Sequence, residues 1–293
     1  MKEMWRFKLG QENPAMNLEQ LRRAYHEAIC QHVLGYRAGA LNIADKSSER
    51  SIELAQGILT RMGFPSCPNP PEGQRAGALF ESLTRDYLEK AFRLIQHLRP
   101  GDWTFSVHGD APVFDQYEHL TDLAEVLGQH SHLRATLGDY LVTPDIVVGR
   151  SPVSDQQINR DADILQGDTA TLTPLRASNF PDPRPILHAS ISCKWTIRSD
   201  RSQNARTEGL NLIRNRKGST PHIVIVTAEP LPSRIASVAL GTGDVDCVYH
   251  MALYELGESV KEVGDETLSE MYNLLVDGKR LRDISDLPFD LAI

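Results

Sequence analysis

The chain has 293 residues, 41% of them hydrophobic and 24% charged, and a formal net charge of −8. That composition excludes a collagen-like, low-complexity or disordered chain, and the length suits one large α/β domain because no linker separates two halves. The acidic balance argues against a generic nucleic-acid coat protein, although a basic cleft on an acidic body still attracts a polyanion.

Cys30, Cys67, Cys193 and Cys247 form no CxxC and no other metal-ligand spacing, so they read as buried or free thiols of a reducing compartment. No apolar run reaches the roughly 18 residues needed to span a bilayer. The start, MKEMWRFKLG, has no apolar segment of signal-peptide length. The expected location is the cytoplasm.

Residues 1–16 read as a loosely attached arm. Asn17 with Gln20 approaches a capping box, and Leu18, Leu21, Ala24, Tyr25, Ala28, Ile29 and Val33 mark an amphipathic helix ending near Gly35. Residues 37–45 read as a loop. Ser47 or Ser48 caps a second helix that runs through Ile52, Leu54, Ile58 and Leu59 to Gly63. A proline-rich connection over 64–73 leads to the longest helical pattern, 76–98, with Phe80, Leu83, Tyr87, Ala91, Leu94 and Leu98 as its buried stripe. Glu81 sits at the edge of that stripe, in one column with Gly77 and Leu88.

Residues 103–107 fit a short strand and 120–137 a further helix. The segment DYLVTPDIVVG (139–149) is a strand signal with Pro144 inside it, which marks an edge, a bulge or a kink. Asp145 follows directly and shares a face with Val147 and Gly149. Residues 150–185 are polar and proline-bearing, a long excursion.

The stretch 186–217 alternates at first like a half-buried strand. Ile191, Cys193, Trp195 and Ile197 fall on one face and Ser190, Ser192, Lys194 and Thr196 on the other. A lysine on a hydroxyl-lined strand face is a poor choice for plain sheet building. From about 202 to 215 the pattern is helical, with Glu208 in the column of Ala205 and Leu212, on the inward side. The stretch carries seven basic and two acidic side chains, so it is the basic cleft the whole-chain charge conceals. A buried strand over 223–228 follows. Residues 234–249, rich in Ala, Val and Gly, add another strand around 245–248, and helices from 251 and 266 close the chain.

Helices, a strand with Asp, a long insertion, a strand with Lys, a helix with Glu and a further strand together predict an α/β fold. Its central mixed sheet is flanked by helices on both faces, with N-terminal helical additions. The whole chain, 1–293, reads as one domain: a helical part over about 17–137, a core over about 139–250 and C-terminal helices over about 251–293.

Charges turned toward a core need a partner or a metal. Phosphodiester hydrolysis needs a nucleophilic water near neutral pH and neutralisation of the phosphate. Mg²⁺ supplies both and takes one or two carboxylates, the substrate phosphate and several waters. Asp145 and Glu208 are the natural ligands. Lys194 fits beside the attacking water and scissile phosphate, as a point charge or with a depressed pKa. Arg198, Asp200 and Arg201 form a connector with two readings. It is either a surface ion pair on an exposed turn, or a reader of G·C pairs in which arginine takes guanine O6 and N7 and aspartate takes the cytosine amine. A palindromic site would require two copies of the reader, hence at least a twofold dimer.

Pro144-Asp145, Ser192-Cys193-Lys194 and Glu208 resemble the variant PD-(D/E)XK nuclease motif of type IIF restriction endonucleases that cut sites containing CCGG. The likeness runs over most of the chain and is densest over 194–250. In the common motif an acid stands two residues before the lysine; here that position is Ser192, and the family variant moves the acid onto the next helix, at Glu208. The resemblance implies Asp145 and Glu208 as metal ligands, Lys194 at the water and phosphate, Ser192 near the metal and Glu81 as an additional acid. It implies Arg198, Asp200 and Arg201 as readers of CCGG, Arg234 and Asp45 as contacts to the outer G·C pairs, and Gln74 as a minor-groove contact. It further implies GCCGGC as the target, cut after the first G to leave a four-base 5′ overhang, and a homotetramer built as two back-to-back dimers.

The function expected is therefore a Mg²⁺-dependent type II restriction endonuclease acting on double-stranded DNA. A sequence-specific DNA-binding protein without cleavage, or a repair or recombination nuclease on the same core, are the alternatives.

Overall fold

The computed structural model describes residues 16–133, 142–197, 199–241 and 243–293, and of 199–203 the backbone. Helix α1 (Leu18–His32) begins at Asn17. The Asn17 side chain accepts from the Gln20 amide and the Gln20 side chain accepts from the Asn17 amide, which is the predicted capping box. The stretch read as a loop contains a hairpin, β1 (Tyr36–Arg37) and β2 (Ala40–Leu41), turned through Ala38 and Gly39 at positive φ. Its strands are too short to show alternation. Helix α2 (Glu49–Met62) has Ser48 as its cap and Gly63 at φ 74° as its stop, as expected.

Helix α3 (Gly73–Ile95) starts three residues before the predicted pattern and tightens into a 3₁₀ turn over Gln96–Leu98. Leu94 and Leu98, expected in its stripe, are 38% and 55% exposed; Leu88, Phe92 and Ile95 carry that end of the stripe instead. Strand β3 (Trp103–Val107) lies where predicted. Helix α4 (Thr121–Gln129) covers half of the helix expected over 120–137, and residues 134–141 lie outside the described residues. Strand β4 (Ile146–Arg150) begins after Pro144, which has no N–H to give a ladder.

The long excursion holds a short helix, α5 (Asp155–Ile158), a 3₁₀ turn and a single bridge between Val153 and Arg176. Strand β5 (Ile186–Lys194) and helix α6 (Ser199–Asn215) follow. The helix starts earlier than expected, so the backbone of Asp200 and Arg201 lies in its first turn and not in a connector before it. Strand β6 (His222–Thr227) precedes helix α7 (Pro232–Ala239), which the sequence reading had missed. Pro232 sits in the first turn, where its missing N–H costs nothing, and Ile235, Ala236, Val238 and Ala239 are buried. Strand β7 (Cys247–His250), helices α8 (Leu253–Val263) and α9 (Glu266–Asp277), strand β8 (Leu281–Asp283) and helix α10 (Leu287–Asp290) complete the chain.

The strands make one mixed sheet in the order β3-β4-β5-β6-β7-β8. β3, β4 and β5 pair antiparallel; β5 to β8 run parallel. Ile146, Val148, Ile191 and Cys193 bury one face against α1, α2 and α3. Val147, Leu187 and Ile223 bury the other against Tyr117 and, on α6, Leu212. Helices therefore cover both faces, as the alternation of strands and helices required. All four cysteines are free and buried. Among the described residues no helix is long and apolar enough to cross a membrane.

Candidate active site

Strands β4 and β5 set the site. Val147 pairs with Ser190 and Ile146 with Ile191, so Asp145, one residue before β4, arrives beside the last residues of β5. Its Oδ2 accepts from the Cys193 amide at 2.8 Å and from Lys194 Nζ at 3.0 Å. Both bonds fall on Oδ2, so among the described residues Oδ1 takes none. Ser192 and Lys194 share a strand face, about 7 Å apart by strand geometry. The Ser192 hydroxyl donates to Glu208 Oε2 at 3.4 Å, which brings the α6 carboxylate to the same face. Gly209 makes that approach possible: a Cβ there would lie 2.7 Å from Ile223 Cγ2 and 3.0 Å from the Asp244 carbonyl oxygen.

Glu81 enters from α3, one residue after the fully buried Phe80, whose ring meets Trp195 edge-on at 5.1 Å. Its carboxylate lies 3.7 Å from His108 Nε2, and its Oε2 is buried without a hydrogen-bond partner. The structure thus brings together Asp145, Lys194, Glu208, Ser192 and Glu81, which are scattered over more than a hundred residues of sequence.

The charges perturb one another. Burial raises the Glu208 carboxyl, Lys194 pulls it down and Asp145 pushes it up, for a net rise. Burial and then Asp145 raise Glu81, against His108 and Lys194. Burial would lower the Lys194 ammonium, but the charge and hydrogen bond of Asp145, with Glu208 behind, raise it above its ordinary value. Of the two readings the sequence offers for Lys194, a point charge or a depressed pKa, this raised value favours the point charge.

The donor set suits a hard, hydrated cation. Two carboxyls raised by burial and by the Asp145 charge, an unshared Oδ1 and an orphaned buried Oε2 are what a divalent ion would relieve. Among the described residues no three His, Cys, Asp or Glu side chains form a metal cage. Mg²⁺ does not ask for one, since it keeps waters and takes one or two carboxylates.

A second cluster joins two of the sequence-predicted base readers. Arg234, on α7, forms an ion pair with Asp45, in the loop before α2. The Ser47 hydroxyl and amide, and then Arg234, hold the Asp45 carboxyl down at about 2. Beneath them lies Glu229, fully buried and missed from sequence. It accepts from the Ile197 amide at 2.9 Å and the Leu231 amide at 3.1 Å, and lies 3.9 Å from Arg234. Burial pushes the Glu229 carboxyl up to about 7, against those amides and Arg234. The only sequence signal for it was an acid ending an apolar strand run.

Arg206 of α6 donates to the carbonyl oxygens of Val238 and Leu240, tying the helix of Glu208 to the end of α7. Gln74 is exposed in the first turn of α3, seven residues before Glu81 and about 10 Å along the helix. Arg198 lies outside the described residues, and of Asp200 and Arg201 only the helical backbone is described.

A family model described as NgoMIV restriction enzyme matches residues 25–293. The type II restriction enzyme NgoMIV of Neisseria gonorrhoeae is 46% identical over 289 residues, which cover 96% of this chain and all of that one. Among solved structures, a complex of the restriction endonuclease PspGI with substrate DNA aligns at 16% identity and TM-score 0.36, over 74% of this chain and 60% of that chain. The type IIF restriction endonuclease Bse634I with cognate DNA aligns at 12% identity and TM-score 0.35, over 89% of this chain and 96% of that chain. With its model matched over nearly the whole sequence and a relative this similar from end to end, the chain belongs to the NgoMIV family of type II restriction enzymes.

Proposed function

We propose that this protein is a Mg²⁺-dependent restriction endonuclease of one domain that cuts both strands of GCCGGC after the first G, leaving a four-base 5′ overhang. The observation that carries the reading is the convergence of Asp145, Lys194 and Glu208 at the end of β5, with Ser192 and Glu81 beside them. Asp145 and Glu208 would hold the metal. Mg²⁺, when bound, supplies a water of lowered pKa and neutralises charge developing on the phosphate.

The protein's own groups do the rest. Lys194 spends one N–H on Asp145 and keeps two for the attacking water and a phosphate oxygen. Held protonated, it acts as a point charge aimed at developing negative charge, not as a base. The Ser192 hydroxyl fixes the Glu208 carboxylate, a task that fits the position left by the missing acid. Glu81 adds a third carboxylate near the ion.

Arg234 and Asp45 support the outer-pair assignment because they are already paired. A guanidinium for guanine and a carboxylate for the cytosine amine stand side by side, the arrangement one G·C pair asks for. Arg198, Asp200 and Arg201 would read the inner CCGG, and Gln74 the minor groove. A palindrome needs a twofold dimer, and the resemblance extends this to a homotetramer; the four free, buried cysteines support a reducing cytoplasm.

The test is supercoiled plasmid with and without Mg²⁺, followed by sequencing of the fragment ends. Discrete fragments ending in the stated overhang support the reading. Binding without cutting makes the protein a DNA-binding module, and ragged or end-dependent cutting makes it a repair-type nuclease.

A further inference from the structure

His108 stands at the rim of this site, beside Glu81. It is a non-glycine residue at φ 55°, a left-handed conformation that disfavours side chains with a Cβ. Such strain persists only where surrounding structure over-determines it, and it gathers at functional sites. Two contacts impose it. The His108 amide donates to the Asp145 carbonyl oxygen at 3.0 Å, one step past the β3–β4 ladder. The next residue, Gly109, is pressed onto β4 so closely that a Cβ would lie 2.3 Å from Val147 Cγ2. The turn therefore leaves β3 sharply, and the imidazole reaches to α3. Its Nε2 lies 3.7 Å from Glu81 Oε2, the carboxylate oxygen that is buried with no hydrogen-bond partner. The His108 side chain is 63% exposed while Glu81 is 13% exposed, so the imidazole caps the carboxylate from the open side of the cleft.

We infer that His108 is a positioning residue of the nuclease, whose strained turn on Asp145 holds an imidazole donor over Glu81 and fixes that third carboxylate beside the metal ligands. A closure of about 0.8 Å turns the present contact into an ordinary hydrogen bond. The same backbone link registers Glu81 against Asp145, so α3 and the start of β4 are positioned as a unit.

The inference rests on the nuclease reading, and the test separates the two. His108→Gly removes the imidazole and suits the left-handed backbone, and His108→Asn keeps an N–H donor in a residue that tolerates that backbone. Each is made alone and with Glu81→Gln. Single-turnover cleavage with Mg²⁺, melting temperature, and the rise in melting temperature on adding Mg²⁺ are read for all. The expected result is that His108→Gly melts no lower than the parent, yet cleaves about 10–100-fold more slowly, the usual cost of losing such an orienting partner. Its Mg²⁺-induced shift is smaller, and His108→Asn recovers part of both. In the Glu81→Gln background the glycine substitution changes nothing further.

Wild-type cleavage by both His108 variants, or a loss that persists in full beside Glu81→Gln, overturns the inference. If the parent protein cuts no DNA, the nuclease reading fails, and the Mg²⁺-induced shift still decides whether His108 acts through Glu81.

Discussion

Lys194→Ala is the substitution whose consequences are most closely set by the structure. The ammonium is 3.0 Å from Asp145 Oδ2, with the two side chains 17% and 22% exposed. At an effective dielectric of about 20 the gross attraction at that distance is about 5–6 kcal/mol. Desolvation and partial screening offset most of it, so loss of the pair costs about 1–3 kcal/mol of metal-free stability. The catalytic cost is separate. Removing one oriented charge from the site of developing negative charge lowers the rate about 10²–10³-fold, or about 3–4 kcal/mol.

The assay is single-turnover cleavage of a short duplex at saturating enzyme and Mg²⁺, with metal-free DNA binding measured beside it. Binding should stay within about threefold of wild type, because phosphate contacts across the whole groove dominate it. Lys194→Arg should remain at least about tenfold impaired, since a planar fork does not replace a compact ammonium. Cleavage by Lys194→Ala at the wild-type rate would refute both the role given to Lys194 and the reasoning from its ion pair.

Asp145→Asn and Glu208→Gln should each remove most of the Mg²⁺-induced rise in melting temperature and most of the cleavage, while leaving a folded protein by circular dichroism. Because burial and the Asp145 charge raise the Glu208 and Glu81 carboxyls, Mg²⁺ competes with protons there. Its apparent affinity, read by calorimetry, should therefore strengthen as pH rises through those raised values and weaken in acid. Arg234→Ala should lose about 1–3 kcal/mol of discrimination at the outer base pair and little at the inner four, measured by cleavage of sites altered one pair at a time. Glu229, whose folded pKa of about 7 exceeds its ordinary 4.5, contributes stability that is fully present below pH 4.5 and is lost as pH rises through 7. Over that window chemical denaturation should show a loss of about 3 kcal/mol that Glu229→Gln abolishes; an unchanged slope would remove the buried titration from the account.

The helical part was legible in some detail because its signals are local. Asn17 and Ser48 cap their helices, Gly63 ends one, and apolar spacing marks the rest. The candidate catalytic residues were legible for a different reason. Lys194 on a hydroxyl-lined strand face and Glu208 on an inward helix column break the pattern expected of a packed core, and the fold resolves both breaks at one place. What stayed hidden depends on tertiary packing. Helix α7 has only eight residues, too few turns for its apolar spacing to stand out. Strand β8, three residues long, is too short to alternate. His108 and Glu229 carry no sequence spacing of their own. One is placed by a turn pressed onto β4, and the other by amides from segments 32 and 2 residues away.

The central claim is that a divalent ion is held between the carboxylates of Asp145 and Glu208 with Lys194 alongside. Crystals soaked in Mn²⁺, which scatters anomalously and shares the oxygen preference of Mg²⁺, test it directly. The account predicts an anomalous peak about 2.1 Å from an oxygen of each carboxylate, displaced by excess Mg²⁺. A peak bound elsewhere, with those two carboxylates left without an ion, would contradict it.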